Sequence, residues 1–229
     1  MLNTDIVHGG ESHIDFEEGP PGKFSIENLR IASPTGCTLL EDTHVEMLAG
    51  ERILIRGEPG TGKTLLFRAL AGLWPWGTGR IKRPKGEDAM YLPRVPYLPP
   101  GTLREVLAYP WGIEKFADGA FAPALTRVDL ARLVPMLDST QRWERELSED
   151  EQHSLVFARA LLHEPRWMII DEVLDSLDDR VRDCVIDVLT KDLQQTGIVY
   201  IGRTPPHDRL FGRKVCLLKD PGAHRLARV

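Results

Sequence analysis

Short strand-like runs separated by turn residues dominate the sequence between residues 24 and 56. The runs span residues 24–31, 38–40, 44–48 and 52–56, with turn residues such as Pro34, Gly36 and Gly50 between them. Short apolar runs bounded by turn residues are typical of strands in a meandering sheet. This part of the chain is therefore predicted to form an antiparallel β subdomain that leads into the strand at 52–56.

Helical periodicity begins after residue 64 and alternates with further apolar strands. Helices are predicted from residue 64 to about 72, from 102, over 126–137, over 148–165 and from about 180 towards 197. Strands are predicted at 88–92, 167–171, 198–201, 214–218 and 224–228, with a proline-rich loop after residue 92 and an irregular stretch over 111–123. Alternating strands and helices favour a parallel sheet covered by helices. The predicted class is α/β, with a helical subdomain over about residues 93–165.

The first 22 residues differ in composition from the rest of the chain. They contain five carboxylates and no Lys or Arg, and they end in GPPG. Acidic segments without basic partners, closed by Pro and Gly, are typical of linkers. We expect a mobile acidic linker over 1–22 and one folded domain over 23–229.

Composition narrows the possible partners. The net charge is -5 and the basic residues are spread along the chain, which disfavours a nucleic-acid partner. Three cysteines with unpaired spacing, Cys37, Cys184 and Cys216, are expected to be reduced packing residues. No signal peptide and no run of membrane-spanning length is visible, so a membrane role would need another chain or a further segment. His153 and His163 lack metal-like partners and are predicted at the surface.

The most informative stretch is GEPGTGKT at residues 57–64, which fits the pattern GxxxxGK[ST]. Its glycines let successive N–H groups point at phosphate oxygens, Lys63 can reach the β- and γ-phosphates, and the Thr64 hydroxyl can bind Mg²⁺. The alternative, a glycine-rich turn that matches by chance, is disfavoured by the strand before the motif and the helix after it. The predicted phosphate-binding residues are Gly57, Glu58, Pro59, Gly60, Thr61, Gly62, Lys63 and Thr64.

A second motif, WMIIDE at residues 167–172, is an apolar strand that ends in two carboxylates. Asp171 can hold Mg²⁺ with Thr64, and Glu172 can orient or deprotonate an attacking water. The alternative is that the acidic pair does no more than start the next helix. This is disfavoured because the two motifs together supply the parts of one mechanism. The predicted ligands are ATP and Mg²⁺, with Glu172 and Lys63 as the catalytic residues.

The order of these motifs, with LSEDEQ at residues 147–152 between them, resembles the ATP-binding domain of ABC transporters over nearly the whole chain. The segments AGLWPWGTGRI and PYLPPGTLREVLAYP resemble the subgroup of peroxisomal fatty-acyl exporters and bacterial SbmA/BacA and YddA-type transporters. The resemblance implies the ABC ATPase fold and a head-to-tail homodimer or heterodimer that sandwiches two ATP molecules, with Ser148 acting in trans. It also implies a cytoplasmic position at the inner face of a membrane, through a transmembrane partner or a missing N-terminal segment.

The chain departs from the family pattern at four places. Glu149 and Asp150 replace small residues of the usual LSGGEQ or LSLGEQ, Arg94 stands at the glutamine position, and Arg203 stands at the histidine position. No aromatic residue lies near 33–36, where many relatives stack the adenine ring.

These departures change the expected chemistry. A carboxylate about 4 Å from a phosphate charge costs roughly 1 kcal/mol at a water-like dielectric and about 4 kcal/mol at an effective dielectric near 20. Arg94 cannot be a Mg²⁺ ligand because a guanidinium has no lone pair to give. Arg203 could stabilise the γ-phosphate. The two arginines could instead pair with Glu149 and Asp150 across the dimer interface, or be solvated side chains of a decayed site.

Three functions follow from the sequence. The first is an ATPase that powers an ABC membrane transporter, and the intact Glu172 favours it. The second is a degenerate nucleotide-binding regulatory module with little or no hydrolysis, favoured by the altered positions Arg94, Glu149, Asp150 and Arg203. The third, a non-transport ABC protein, is disfavoured because such proteins commonly carry two ATPase domains in one chain.

Overall fold

One ten-stranded sheet runs through the computed structural model, which describes residues 13–33, 36–86, 89–203 and 210–220. The strands of these residues are β1 Asp15–Gly19, β2 Lys23–Ser33, β3 Gly36–Leu40, β4 His44–Leu48, β5 Arg52–Arg56, β6 Gly77–Pro84, β7 Ala89–Leu92, β8 Gly101–Thr102, β9 Thr140–Gln141, β10 Trp167–Asp171, β11 Gly197–Gly202 and β12 Arg213–Asp220. The sheet order is β1-β6-β2-β3-β12-β5-β11-β10-β7, with β4 paired to β2, and β8 and β9 form a separate short pair.

The sheet has a parallel half and a mainly antiparallel half. Strands β12, β5, β11, β10 and β7 pair in parallel. In the other half β2 pairs antiparallel with β3, β4 and β6, and an antiparallel pairing of β12 with β3 joins the two halves. This arrangement confirms the predicted α/β class with a parallel core and an antiparallel β subdomain.

Helices cover the parallel half on both faces. The α-helices of the described residues are α1 Lys63–Leu70, α2 Leu103–Ala108, α3 Phe121–Arg127, α4 Trp143–Glu146, α5 Glu149–His163, α6 Val173–Ser176 and α7 Asp179–Asp187. Every residue of β10 is buried, and alternate residues enter two separate core clusters: Met168 and Ile170 join one, Trp167 and Ile169 the other. A strand buried on both faces reads as a continuous apolar run, which is why WMII contains no polar residue.

Two helices begin with the capping boxes that the sequence predicts. The Thr102 side chain accepts a hydrogen bond from the Glu105 backbone N–H, and the Ser148 side chain accepts one from that of Glu151. In each case the glutamate carboxylate accepts a hydrogen bond from the backbone N–H of the cap residue. Two otherwise unpaired donors are thereby satisfied at the start of α2 and of α5.

The predicted linker is wrong for residues 15–19, which form the edge strand β1 parallel to β6. The preceding Ile14 is buried, with 3% of its surface exposed. Two of the three acidic residues of this strand have basic partners: Glu17 lies 2.8 Å from Arg80 Nε, and Glu18 lies 3.2 Å from Lys85 Nζ. Those partners are distant in sequence, so composition alone suggested an unpaired acidic linker. Residues 1–12 lie outside the described residues, as does the strand predicted at 224–228.

The single helix predicted over 126–137 is also wrong, because the backbone breaks in the middle of it. The helix α3 starts earlier, at Phe121, and ends at Arg127. Asp129 then adopts a left-handed conformation with φ 63°, and residues Ala131–Met136 form a 3₁₀ helix that contains Pro135. Proline has no N–H to donate to an α-helical ladder, so the apolar spacing is kept while the helix is not.

We predict that Ile14→Ala lowers the free energy of unfolding by about 2 kcal/mol or more, the usual range for truncating a buried isoleucine. Urea denaturation of the full chain measures the change. Phe16→Ala, two residues further along at a side chain 39% exposed, is the matched control and should cost less. A change under about 0.5 kcal/mol for Ile14→Ala would show that this segment is not part of the folded core.

Candidate functional site

Four neighbouring parallel strands place their carboxyl ends at one edge of the sheet. The glycine-rich loop follows β5, Arg203 follows β11, Asp171 ends β10, and Arg94 lies two residues beyond β7. The register pairs Asp171 with Ile201 and Gly202 with Arg56, so these ends lie side by side. Ligands of open α/β sheets bind at this edge. The sheet thus brings residues from four distant parts of the sequence to one place.

The loop at residues 57–62 reaches α1 through a glycine that no other residue could replace easily. Gly62 precedes the helix with φ 99°, and a Cβ there would lie 2.2 Å from the Thr38 hydroxyl oxygen. That hydroxyl donates a 2.8 Å hydrogen bond to the Thr61 carbonyl oxygen, which ties the loop to β3. The unpaired N–H groups at the start of α1 are the donors that suit a phosphate.

Lys63 is buried in the loop with three oxygen atoms around its ammonium group. Its Nζ donates to the carbonyl oxygens of Gly57 and Glu58 at 2.9 and 3.2 Å, and lies 3.2 Å from Glu172 Oε1. Only 7% of the residue is exposed. A buried ammonium needs a counter-ion, and here Glu172 supplies it. A phosphate that enters the loop must therefore replace or share that carboxylate.

Asp171 has the properties of a cation ligand. The residue is 1% exposed, and its Oδ1 has no hydrogen-bond partner within the described part of the chain. Burial raises the pKa of its carboxyl to about 6, while a hydrogen bond from the Thr64 side chain opposes that rise. An orphaned carboxylate oxygen beside a hydroxyl is a hard-oxygen donor set of the kind that Mg²⁺ accepts. These two residues fit Mg²⁺.

Glu172 adopts a backbone conformation that side chains rarely take. Its φ is 53°, and its N–H donates a 2.8 Å hydrogen bond to the Ile201 carbonyl oxygen on the neighbouring strand. A non-glycine residue in this region carries a conformational cost of order 1–3 kcal/mol and is enriched at functional sites. Besides Lys63, its carboxylate faces Arg94, whose Nη1 lies 3.9 Å from Oε2. The turn aims the carboxylate at the mouth of the loop.

A cavity of about 380 Å³ opens at the loop, in front of Lys63 and Glu172. Lys63, Thr64, Glu172, Arg94 and Arg203 all contribute to it, with three loop residues and Leu65 completing the wall: Pro59, Gly60 and Gly62. The structure therefore brings both predicted arginines to the phosphate loop. The sequence did not single out Asp175, whose Oδ2 accepts a 2.9 Å hydrogen bond from the Arg203 backbone N–H. Burial is the main cause of the raised pKa of Asp175.

The family assignment rests on more than the cavity. A protein-family model described as ABC transporter matches residues 40–175, which is more than half of the chain. The chain belongs to the ABC transporter family. The fold and the order of motifs agree with this, and the resemblance stated from the sequence is confirmed.

Individual relatives of this ABC protein are much longer than the chain itself. An uncharacterized ABC transporter ATP-binding protein of Haemophilus influenzae is 34% identical over 202 residues, covering 88% of this chain and 34% of the relative. ABC transporter D family member 2 of Dictyostelium discoideum is 32% identical over a segment that covers 81% of this chain and 25% of the relative. ATP-binding cassette sub-family D member 3 of Mus musculus is 33% identical over a segment that covers 71% of this chain and 26% of the relative. The chain thus spans between a quarter and about a third of these relatives. Among its described residues, no helix has the length and apolar character needed to cross a bilayer.

The LSEDEQ segment of the ABC chain lies apart from the cavity. Ser148 caps α5 through its side chain and is not among the residues that line the cavity. Glu149 is exposed, and Asp150 is partly buried at the same helix start. The structure therefore does not bring Ser148 to the phosphate loop of its own chain.

Two residues of α5 hold the loop that carries Arg94, a role that the sequence did not predict for either of them. His153, predicted at the surface, is 6% exposed, and its Nε2 lies 3.1 Å from the Arg94 carbonyl oxygen. Arg159 is 7% exposed and donates to the carbonyl oxygens of Tyr97 and Val106. The spacing carried a signal for His153, because it lies three and four residues before the buried Val156 and Phe157 and so shares their helical face. The helix α5 is thereby attached to the 94–97 loop at two points.

His163, the other histidine predicted at the surface, is half-buried. Its Nε2 lies 3.1 Å from the Leu107 carbonyl oxygen, and its ring packs 4.8 Å from that of Phe116. Burial lowers the pKa of this histidine. It therefore contributes to the packing of α5 against α2.

We predict that Asp171→Asn changes how stability depends on pH. The pKa of Asp171 is about 6 in the folded chain and 3.8 ordinarily, so the native state binds this proton more tightly than the unfolded state between those values. The contribution of Asp171 to stability is therefore present below about pH 4 and is lost as the pH rises to 6. Asparagine has no proton to lose at this position. The variant should therefore be more stable than the wild type at pH 7.5, by at most about 3 kcal/mol.

Urea unfolding between pH 4 and pH 8, in chelator and without nucleotide, measures this difference. Asp42→Asn, at an exposed carboxylate, is the control and should keep the wild-type pH dependence. Identical pH profiles for wild type and Asp171→Asn would contradict the raised pKa.

We predict that His153→Leu costs about 1–2 kcal/mol of stability, because the part-buried contact of its ring with the Arg94 carbonyl oxygen is lost. His153→Gln retains an N–H donor and should recover part of the loss. Hydrogen exchange of the 94–97 amides should accelerate in the leucine variant. His44→Leu, at an exposed histidine, serves as the control, and equal effects of the two leucine variants would show that His153 makes no special contact.

Proposed function

We propose that this chain is an ATP-binding and hydrolysing domain that powers an ABC membrane transporter. The observation that carries the proposal is that Lys63, Thr64 and Glu172 line one cavity at the carboxyl ends of parallel strands, with Asp171 hydrogen-bonded to Thr64 beside it. Phosphoryl transfer to water requires three parts: a loop that binds phosphate, a carboxylate for the metal ion and a second carboxylate directed at the loop.

Binding of the triphosphate begins with the loop. The N–H groups at the start of α1 and the Lys63 ammonium group take the phosphate oxygens, and the triphosphate then replaces Glu172 as counter-ion of the lysine. Thr64 and Asp171 would hold Mg²⁺, which supplies charge neutralisation between the β- and γ-phosphates when bound. Arg203 lies at the wall of the same cavity and adds a cation for the terminal phosphate.

Glu172 acts on the attacking water. Once Lys63 has turned to the phosphates, the Glu172 carboxylate has an oxygen free to accept a hydrogen bond from water and to take its proton. The left-handed turn at this residue places the carboxylate beside Lys63, where it can orient a water for attack on the terminal phosphate.

The working unit in this proposal is a pair of such domains arranged head to tail. Ser148 sits at the start of α5, away from the cavity of its own chain, and would contact the nucleotide bound by the other subunit. The partner can be a second copy or a different ATPase domain. A homodimer would form two equivalent sites, one at each phosphate loop.

A transmembrane domain is the second partner in this proposal. A cavity of about 770 Å³ between α1 and α5 is bordered by apolar side chains that face solvent: Leu73 is 72% exposed, Val95 76% and Tyr97 56%. Exposed apolar groups concentrated around one groove mark an interaction surface. The groove also touches the 94–97 loop, so a domain seated there could move Arg94. The chain would then work at the inner face of the membrane, held by this partner.

A second candidate is a nucleotide-binding module with little hydrolysis, and one observation favours it. Arg94 lies 3.9 Å from the Glu172 carboxylate, where the family usually has a glutamine. Their attraction is about 1 kcal/mol at a water-like dielectric and about 4 kcal/mol at an effective dielectric near 20. Since Arg94 is mostly exposed, the lower figure applies. That contact competes with water for the Glu172 carboxylate and would slow turnover without blocking binding.

We predict that Glu172→Gln lowers the rate of Mg-ATP hydrolysis by about 10²–10⁴-fold, the usual cost of losing a general base. Steady-state phosphate release, measured beside equilibrium Mg-ATP binding, separates the two candidates. Glu144→Gln, at an exposed carboxylate on α4, is the control and should hydrolyse ATP like the wild type. Binding without turnover in the wild type would favour the regulatory module, and the absence of binding would refute both.

A further inference from the structure

Three cationic side chains line the cavity at the phosphate loop: Lys63, Arg94 and Arg203. Glu172 is the one carboxylate among its described lining residues, while Asp171 and Asp175 lie behind this wall and also act on the cations. The side chain of Arg94 is 66% exposed and has no other carboxylate within 4 Å in the described residues. Arg203 is exposed and makes no ion pair with residues of the ranges that the structure describes. The Arg203 guanidinium therefore remains available at the mouth of this cavity.

The start of α5 carries the opposite charge. Three consecutive carboxylates occupy its first turn, and two of them are engaged. Glu151 pairs with Arg132 and with the backbone N–H of Ser148. Asp150 is directed at Asp178, and burial together with that contact raises the pKa of Asp150. Glu149 is exposed and forms no ion pair in the part of the chain that the structure covers. It is the available carboxylate of this turn.

These two sets of charges do not meet within one chain. Glu149 is absent from the lining of the cavity, and the 15-residue helix α5 presents it at an exposed end. Two complementary patches on different parts of one surface satisfy each other in a pair related by a two-fold axis. Each patch of one copy then faces the opposite patch of the other copy. The second copy would contribute a residue to the phosphate site.

We propose that two copies of this chain associate without nucleotide through two reciprocal contacts, in each of which Glu149 of one copy pairs with Arg203 of the other. The proposal rests on the head-to-tail arrangement of the proposed function and adds what holds it together before ATP arrives. Arg203 is the preferred partner because Arg94 already faces Glu172 of its own chain. The carboxylate stands where the family has a small residue, so it takes the place of an anion at the cavity mouth.

Salt should weaken this association. Exposed ion pairs are screened as ionic strength rises, so self-association in chelator without nucleotide should be tighter at about 50 mM than at about 500 mM salt. An association driven by apolar surface would persist or strengthen. Sedimentation velocity over a range of protein concentrations measures the difference.

The deciding experiment exchanges the charges between copies. Glu149→Arg alone and Arg203→Glu alone each place like charges at both contacts, and each should weaken self-association at least about tenfold. An equimolar mixture of the two variants places opposite charges at both contacts of a mixed dimer, and association should return close to the wild-type value. Glu144→Arg, at an exposed carboxylate outside the proposed contact, is the matched control for the single variants and should self-associate like the wild type.

Three outcomes would overturn the proposal: a monomeric wild type without nucleotide at every concentration, single variants that associate like the wild type, or a mixture that does not recover. Mg-ATP binding and hydrolysis of the wild type are measured in the same preparations. If those are present while the charge exchange fails, only this inference falls. If the exchange succeeds while binding and hydrolysis are absent, the contact stands and the proposed function falls.

Discussion

The parallel pairing of β5, β11, β10 and β7 is the constraint on which the site depends. Parallel strands place all their carboxyl ends at one edge, so groups from four parts of the sequence meet without any of them being close along the chain. Burial on both faces by two core clusters fixes the register, since a slip by one residue would exchange the two faces of every strand. The position of Asp171 opposite Ile201 follows from that register.

Electrostatics within this frame explains why the site is suited to an anion with a cation. Lys63 and Glu172 form a largely buried ion pair in which each neutralises the other, and Asp171 carries an oxygen that has no hydrogen-bond partner among the described residues. Burial makes each of these groups costly on its own. A triphosphate with its metal ion would satisfy them together. The arginines at positions 94 and 203 add positive charge beside Glu172 and at the mouth of the cavity, where it attracts carboxylates from outside the chain.

The sequence predicted the features that depend on local spacing and missed those that depend on distant contacts. The loop at 57–64, the strand ending in Asp171 and both capping boxes follow from neighbouring residues, and the structure has them where expected. The strand β1 depends on pairing with β6, and the burial of His153 depends on the 94–97 loop packing against α5. Arg94 and Arg203 came to notice only through the resemblance to a family, because an exposed arginine carries no local pattern. Their meeting at one cavity required the sheet topology.

The central claim is that Lys63 exchanges Glu172 for the phosphates of Mg-ATP. The most direct test is calorimetric titration of ATP into the wild type and into Lys63→Ala, once with Mg²⁺ and once in chelator. The account predicts saturable binding by the wild type that weakens when Mg²⁺ is removed, and a loss of at least about tenfold in affinity for Lys63→Ala, which corresponds to about 1.4 kcal/mol. Equal affinity in the two proteins would contradict the assignment of this loop as the phosphate site.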